Sequence, residues 1–234
     1  MNGWPNAALL AHIRRLHDLG VREILLPAGS AAGPPAAASH PASGESLEEI
    51  RTDLGECTRC SLADSRRSIV FGVGDPDAGL MFVGEGPGRD EDLEGEPFVG
   101  RAGRLLDRMI ASIGLHRADV YIANIVKCRP PRNRNPRPDE IAACRPFLAR
   151  QIEAIAPRVI VTLGKVASSV LLGEEIAITR ARGQMRAFHG IPLMPTFHPA
   201  YLLRQYTPAN RRAVYDDLLQ VKALLDKTDA AGSG

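Results

Sequence analysis

The sequence contains little lysine, little cysteine and no long apolar run. Only four of its 29 basic residues are lysine, and only four of its 234 residues are cysteine. No apolar run approaches the roughly 18 residues of a membrane-spanning helix, so we expect no membrane partner. The net charge is +2, which does not by itself indicate a nucleic-acid partner. An apolar fraction of 44% is sufficient for a folded core.

The four cysteines form two pairs that are far apart in the chain. Cys57 and Cys60 have two residues between them, and Cys128 and Cys144 follow much later. Thiolates suit zinc or an iron–sulfur cluster, and four of them complete either kind of site. The start of the chain does not resemble a secretion leader, so we expect a cytoplasmic protein in which metal binding is favoured over disulfides. The spacing does not separate zinc from iron–sulfur.

Composition predicts four segments. Residues 1–26 have apolar residues at helical spacing and are predicted to form a helical extension. Residues 27–44 are almost entirely Ala, Gly, Pro and Ser, which is typical of a flexible linker. Residues 45–227 contain the core domain, and residues 228–234 form a tail of small residues. We assign no function to the first two segments.

Strands and helices alternate through the core domain. The predicted strands are Ser68–Val73, Leu80–Val83, Val120–Val126, Arg158–Leu163 and Ile191–Thr196. The predicted helices are Leu47–Leu54, Ala102–Ile113, Arg137–Ile155, Lys165–Leu172 and Pro208–Leu225. This alternation predicts an α/β fold with a parallel sheet covered on both faces. In such sheets the functional loops gather at the carboxyl ends of the strands.

The first distinctive strand end is the glycine-rich run Gly84–Gly88. It does not have the spacing of a dinucleotide-binding loop, and Pro87 lacks an amide donor. Six acids lie between Glu85 and Glu96, and these would repel a pyrophosphate. The run is either a tight turn or a place where backbone approaches a ligand closely. Phe98 on the same loop is either a core residue or a stacking platform.

The second strand end carries Asn124, followed by a basic, proline-rich loop. The Asn124 amide offers a donor and an acceptor, which matches the edge of a base, although it could equally satisfy nearby backbone. Five positive residues and no acid lie between Lys127 and Arg137. Arg129, Arg132 and Arg134 in this loop are suited to phosphates.

The third strand end is the run from Phe197 to Arg204. His198 precedes a proline, which holds it in an extended conformation just after a strand. Tyr201, Leu202 and Leu203 follow on what we expect to be an exposed turn. Apolar side chains in such a position can insert into a base stack.

Together these motifs resemble the family 4 uracil-DNA glycosylases, the thermostable, iron–sulfur members of the uracil-DNA glycosylase superfamily. The resemblance rests on Gly84–Gly88, Gly95–Gly103, Asn124–Pro131, Phe197–Arg204 and the four cysteines, and it extends from about Glu45 to Lys227. It implies a three-layer α/β/α sandwich with a mainly parallel central sheet. It also implies a 4Fe–4S cluster of structural importance on Cys57, Cys60, Cys128 and Cys144.

The resemblance further implies a monofunctional glycosylase that initiates base excision repair. Uracil is flipped out of single- or double-stranded DNA, and water then cleaves its N-glycosidic bond to leave an abasic site. Phe98 would stack on the uracil, Asn124 would bind its N3–H and O4 edge, and backbone near Glu85 and Gly86 would add contacts. His198 would donate a hydrogen bond to uracil O2. Arg129, Arg132, Arg134, Tyr201, Leu202 and Arg204 are the predicted DNA contacts, and we expect a monomer in a prokaryote.

The residue that positions the attacking water is not supplied by the motif. Better-known uracil-DNA glycosylases have an aspartate where this chain has Gly86. Glu91 is the first candidate for positioning the water or shaping the pocket near C5 of the base. Glu85 and Asp92 are weaker candidates, which could instead belong to a helix start.

Three other functions compete with this one. A related class crosslinks to uracil-DNA through a histidine, but residues 129–134 contain none. A non-catalytic nucleic-acid-binding protein with zinc or a cluster would explain the cysteines and arginines, and would leave Asn124, Phe98 and His198 without a role. An electron carrier would explain the cysteines alone.

Overall fold

The structure is a computed structural model that describes residues 44–232, with side chains described for residues 44–227. The predicted helical extension at residues 1–26 lies outside the described residues. So does the predicted linker, apart from Gly44. Both predictions, and the domain division as a whole, therefore stay predictions.

Six strands form one sheet. They are β1 (Val73–Gly74), β2 (Leu80–Gly84), β3 (Tyr121–Asn124), β4 (Val159–Leu163), β5 (Arg186–Phe188) and β6 (Ile191–Thr196). The order across the sheet is β1-β3-β2-β4-β6-β5. The four central strands are parallel, and the two edge strands are antiparallel to their neighbours. Every residue of β2, β3 and β4 is buried, as expected for a sheet with both faces covered.

Helices cover both faces of this sheet. They are α1 (Leu47–Leu54), α2 (Arg89–Glu94), α3 (Arg101–Ala111), α4 (Pro138–Ile155), α5 (Lys165–Leu172), α6 (Ile178–Ala181), α7 (Pro199–Arg204) and α8 (Pro208–Gly232). Short 3₁₀ turns lie at Ser61–Asp64, Arg117–Asp119 and Pro131–Asn133. Apolar residues of α3, α7 and α8 pack on one face of the sheet, and those of α4 and α5 pack on the other. The predicted three-layer α/β/α sandwich is confirmed.

Two predicted strands are shorter than expected. Of the segment Ser68–Val73 only Val73 is in a strand, because Phe71 instead packs with Ile50, Leu54 and Phe147 beneath α1. The strand predicted at Val120–Val126 covers Tyr121–Asn124 only. After Asn124 the chain leaves the sheet, although Ile125 still donates its N–H to the Gly84 carbonyl. Strand β3 therefore ends at Asn124, which lies at the sheet edge where ligands bind.

The last helix is longer than predicted, since α8 extends well beyond Leu225 to Gly232 and includes much of the expected tail. Strand β5 and helices α2, α6 and α7 were not predicted. Among the described residues no helix has the length and apolar character needed to cross a membrane.

Candidate functional site

A cleft of about 680 Å³ lies at the carboxyl ends of the parallel strands. Four strand ends contribute to its lining: Glu85 follows β2, Asn124 ends β3, Gly164 follows β4 and His198 follows β6. Phe98 lines it from the loop between α2 and α3. The parallel topology thus brings together the three motifs that sequence analysis singled out.

Gly84 allows Asn124 and Phe98 to meet at the floor of the cleft. A Cβ at residue 84 would overlap Asn124 Oδ1 and would lie 2.7 Å from the Phe98 ring. Asn124 is only 1% exposed, and its Oδ1 has no hydrogen-bond partner among the described residues. Leaving a buried acceptor without a donor costs about 1–3 kcal/mol. The arrangement is therefore suited to a ligand that brings an N–H donor to Asn124.

His198 is held as a neutral ring. The backbone N–H of Ala200 donates to His198 Nδ1 over 3.0 Å, so the ring proton is on Nε2. Burial, together with a smaller effect of the Arg204 charge, lowers the pKa of His198 to about 4. The His198 ring centroid lies 5.6 Å from that of Phe98. His198 can therefore donate a hydrogen bond from Nε2 at neutral pH without being charged.

Glu91 binds the backbone of the two loops beside Phe98. Its carboxylate accepts hydrogen bonds from the N–H groups of Gly88, Val99 and Gly100 at 3.0–3.1 Å. Phe98 itself has a positive φ of 55°, an uncommon conformation for a non-glycine residue that neighbouring contacts must maintain. The contacts of Glu91 favour a role in holding the Phe98 loop over a role in contacting water.

Glu85 has a different environment. It is half-buried at the wall of the cleft, and burial raises the pKa of its carboxyl group. The next residue, Gly86, lies close to Val126, because a Cβ at residue 86 would be 2.8 Å from the Val126 side chain. Asp92, the other weak candidate, accepts N–H bonds from Arg67 and Ser68 and is 5% exposed. Of the three acids, Glu85 is the one whose carboxyl group is least engaged by the backbone.

The three arginines of the basic loop differ in their contacts. Arg134 forms hydrogen bonds of 2.6 and 2.8 Å with the fully buried carboxylate of Glu140, so its guanidinium is engaged within the protein. Arg129 donates to Asn133, and Arg132 is exposed with a φ of +56°. Arg132 is therefore the most accessible of the three predicted phosphate contacts.

The segment after His198 is helix α7, where an exposed turn was expected. Leu202 on this helix is 2% exposed and packs in the core, so the prediction that it inserts into DNA is wrong for this residue. Tyr201 is half-buried, lines the cleft and lies 4.9 Å from the Phe197 ring. Arg204 is exposed at the rim of the cleft. The predicted DNA contacts at Tyr201 and Arg204 remain accessible.

The four cysteines are free thiols, with Cys57 and Cys60 half-buried and Cys128 and Cys144 buried. Burial raises the pKa of Cys144, and Lys127 opposes part of this rise. Burial raises the pKa of Cys128 to about 11, although Arg66 opposes the rise. Cys60, Cys128 and Cys144 pack in one apolar cluster, and Arg66 donates to both the Cys57 carbonyl and Cys128 Sγ, so the four cysteines are neighbours in space. Within the described residues, however, no three His, Cys, Asp or Glu side chains are arranged to hold a single metal ion.

Positive groups surround these thiols. Arg66 lies 3.7 Å from Cys128 Sγ, and Arg59 lies 3.5 Å from Cys57 Sγ. The backbone N–H of Lys127 donates to Cys144 Sγ over 3.2 Å. Donors of this kind stabilise anionic thiolates bound to a metal centre.

Sequence comparison assigns the family. A family model described as the uracil DNA glycosylase superfamily matches residues 71–219. A type-4 uracil-DNA glycosylase of Thermotoga maritima is 46% identical over 185 residues, which cover 78% of this chain and 96% of that protein. The chain belongs to the uracil-DNA glycosylase superfamily.

Two archaeal members of the superfamily are similarly close. A type-4 uracil-DNA glycosylase of Archaeoglobus fulgidus is 44% identical over 191 residues, which cover 78% of this chain and 95% of that protein. One from Sulfurisphaera tokodaii is 45% identical over 189 residues, with 77% of this chain and 85% of that protein covered. The family assignment made from the motifs is confirmed.

Within this superfamily fold, two buried residues near the site were not singled out from the sequence. Lys127 was counted with the basic loop, but it is 0% exposed and donates to the Asn124 carbonyl. Gln151 on α4 is also 0% exposed and accepts a hydrogen bond from Lys127. The apolar residues Ile125 and Val126 before Lys127 were the available signal that the chain is still buried there.

Proposed function

We propose that the protein is a uracil-DNA glycosylase that flips uracil out of DNA and hydrolyses its N-glycosidic bond. The observation that carries this proposal is Asn124 Oδ1, which has no hydrogen-bond partner within residues 44–227 and is buried in the same cleft as Phe98 and a neutral His198. A base flipped into a pocket is read by hydrogen bonds to its edge and by stacking on apolar side chains. The cleft supplies both.

Uracil fits the donors and acceptors of Asn124. Its N3–H would donate to Asn124 Oδ1, and the Asn124 amide N–H would donate to uracil O4. The Phe98 ring, which contacts the same floor at Gly84, would stack on the base. Cytosine has no N3–H in its neutral form, so its N3 would leave Asn124 Oδ1 without a donor.

His198 would stabilise the departing base. As the bond between C1′ and N1 breaks, its electron pair leaves with the uracil and negative charge develops on O2. The Nε2–H of His198 would donate to this oxygen, and a neutral donor needs no proton transfer to do so. Loss of one such donor typically slows the reaction by about 10²–10³-fold. Water then adds to C1′ and loses a proton, which leaves an abasic site.

Glu85 is supported as the group that orients this water. Both Glu85 and Glu91 line the cleft, but the carboxylate of Glu85 accepts no backbone N–H bond among the described residues, and burial raises its pKa. Glu91 would act indirectly, since its three backbone contacts hold the loop that carries Phe98. This reverses the order of the two candidates that sequence analysis suggested.

A 4Fe–4S cluster on Cys57, Cys60, Cys128 and Cys144 is part of the proposal. The four thiols have the Arg59 and Arg66 guanidinium groups and the Lys127 N–H beside them, and such donors suit an anionic cluster held by four thiolates. Bound there, the cluster would crosslink the segment before β1 to the start of α4 and the basic loop. Its proposed contribution is to the fold and to DNA binding.

Uracil-containing DNA would lie across the rim of the cleft. Tyr201 and Arg204 line this rim, and exposed Arg132 and half-buried Arg129 lie on the basic loop beside it. Arg134, which also lines the cleft, would act by fixing the loop through Glu140. We propose a base excision repair role for a monomer in the cytoplasm of a prokaryote.

Uracil release from oligonucleotides tests the proposal. The protein is incubated with single- and double-stranded DNA that contains one uracil, and alkali-labile breaks are measured on a gel. We expect cleavage at uracil only, with thymine and cytosine oligonucleotides as controls. Uracil binding without release, or an SDS-stable adduct with the DNA, would contradict the proposed hydrolysis.

A further inference from the structure

Lys127 carries a buried ammonium group close to the candidate base-reading residue. The side chain is 0% exposed, and Nζ donates to the Asn124 carbonyl oxygen over 3.0 Å and to Gln151 Oε1 over 2.5 Å. Among the described residues, Cys144 is the charged group that favours the Lys127 charge, and no carboxylate does so. Burial of a cation without a carboxylate partner is unfavourable for folding. The hydrogen bonds of Lys127 to Asn124 and Gln151 are therefore expected to have a specific role.

Gln151 is fixed as firmly as Lys127. Its Nε2 donates to the Phe71 carbonyl over 3.0 Å and to the Tyr121 hydroxyl over 3.4 Å, so its Oε1 is oriented toward the ammonium group. Gln151 lies on α4, two helical turns after Cys144. The backbone of Lys127 is held as well, because its N–H donates to Cys144 Sγ and its carbonyl accepts from Val70 over 2.7 Å.

These contacts fix the peptide at which β3 ends. The sheet pairing of β3 stops at Asn124, which is paired with Gly84 of β2. The Asn124 carbonyl therefore needs a donor outside the sheet, and Lys127 supplies it. Because the peptide plane and the side chain share the Asn124 Cα, an error in the carbonyl direction displaces the amide that would read uracil.

We infer that Lys127 is a positioning residue, which holds Asn124 in its base-reading orientation through the Asn124 carbonyl and relies on Gln151 to do so. This inference rests on the proposed function, since it concerns the binding of the uracil edge. It assigns to the segment between Asn124 and Cys128 a mechanical role that links the base pocket to the cysteine site.

The test compares Lys127→Met, Gln151→Leu and Asn124→Ala with the double variant Asn124→Ala/Lys127→Met. Methionine matches the length of lysine but leaves the Asn124 carbonyl and Gln151 Oε1 without this donor, so we expect a moderately lower melting temperature, as in the cavity control below. Single-turnover uracil excision at saturating enzyme should fall at least about tenfold in Lys127→Met and in Gln151→Leu. Iron content and visible absorbance are recorded for every variant, to show that the cysteine site is intact.

The double variant separates positioning from general packing. If Lys127 acts through Asn124, its replacement should change little once Asn124 is alanine, both in excision and in affinity for an oligonucleotide with non-cleavable 2′-fluoro-2′-deoxyuridine. The matched control is Ile155→Ala, which creates a cavity beside α4, the helix that carries Gln151. It should lower the melting temperature without slowing excision. Multiplicative losses in the double variant, or wild-type rates in both single variants, would overturn the inference.

The two proposals can fail separately. If wild-type protein neither excises uracil nor binds the non-cleavable oligonucleotide, the proposed function is wrong and this inference is wrong with it. If wild type excises uracil and both Lys127→Met and Gln151→Leu do so equally fast with intact iron content, only the positioning role is wrong.

Discussion

The acidic segment at residues 85–96, which contains helix α2, and the basic loop at residues 129–137 have opposite charges. In each, some charged side chains bind other parts of the protein and others do not. In the acidic segment the carboxylates of Glu91 and Asp92 accept backbone N–H bonds, whereas that of Glu85, which lines the cleft together with Glu91, accepts none among the described residues. In the basic loop Arg134 binds buried Glu140, whereas Arg132 is exposed. Charge in the sequence therefore does not distinguish groups that shape a loop from groups that face a ligand. What distinguishes them is whether the group already has hydrogen-bond partners among the described residues.

Asn124 and His198 should show the largest effects, because each lines the cleft with a group that can bind the base: Asn124 through Oδ1, which has no partner among the described residues, and His198 through its Nε2–H. We expect Asn124→Ala and His198→Ala each to slow single-turnover excision by about 10²–10³-fold, since each removes a contact that strengthens as charge develops on the base. Melting temperatures should change little. A loss confined to KM would show that these residues bind the substrate and its transition state equally.

Substitutions of Glu91 and Glu85 test most directly whether the two glutamates of the acidic segment have different roles. Glu91→Gln replaces a carboxylate that accepts three N–H bonds, so we expect it to lose about 1–3 kcal/mol of folding stability and to slow excision through Phe98. Glu85→Gln should slow excision without changing denaturant unfolding. The opposite pattern, with stability lost only at Glu85, would contradict the assignment.

The two arginines give the matching test in the basic loop, with a smaller effect. Arg132→Gln should weaken DNA binding at every sequence and reduce the slope of log affinity against log salt by about 1. Arg134→Gln should instead lower stability, because Glu140 is buried with Arg134 as its close partner. A reduced salt slope in Arg134→Gln with unchanged stability would show that its ion pair opens on DNA binding.

The smallest effect concerns pH. The pKa of His198 is about 4 in the folded protein and 6.5 for the unperturbed group, so the unfolded chain takes up the proton first as pH falls. His198 should therefore not affect stability above pH 6.5 and should reduce it progressively between pH 6.5 and 4. Thermal unfolding of wild type and His198→Gln at several pH values checks this. An equal pH dependence in both proteins would contradict it.

The elements with strong local signals could be predicted from the sequence. Helices Leu47–Leu54 and Lys165–Leu172 and strand Ile191–Thr196 have the predicted bounds. The first of these helices starts at Ser46, which forms a capping box with Glu49. Strand β5 was missed because Arg186 and Ala187 are exposed on an edge strand and leave no apolar run. Local patterns do not record such tertiary pairing.

The sequence predicted which side chains meet at this edge of the sheet but not their contacts, and their functional roles stay predictions. The motifs around Phe98, Asn124 and His198 were sufficient to place these residues in one cleft. The burial of Leu202 and of Lys127 depends on segments distant in sequence. The three N–H bonds of Glu91 come from Gly88, Val99 and Gly100, which are nearby in sequence, but no local pattern pairs them. Each misjudged residue was assigned by its type, whereas its role depends on which atoms the fold brings beside it.

Gly84 has a consequence for how sequences of this family can drift. Any side chain at residue 84 would enter the space of Asn124 Oδ1 and of the Phe98 ring at once, so no repacking of one neighbour relieves the other. In a library of all single substitutions, this strand position should tolerate nothing but glycine. Gly44, whose added Cβ would meet no atom of the described residues within 4 Å, should accept most residues. The absence of one methyl group thus constrains the pocket more strictly than many of the groups present in it.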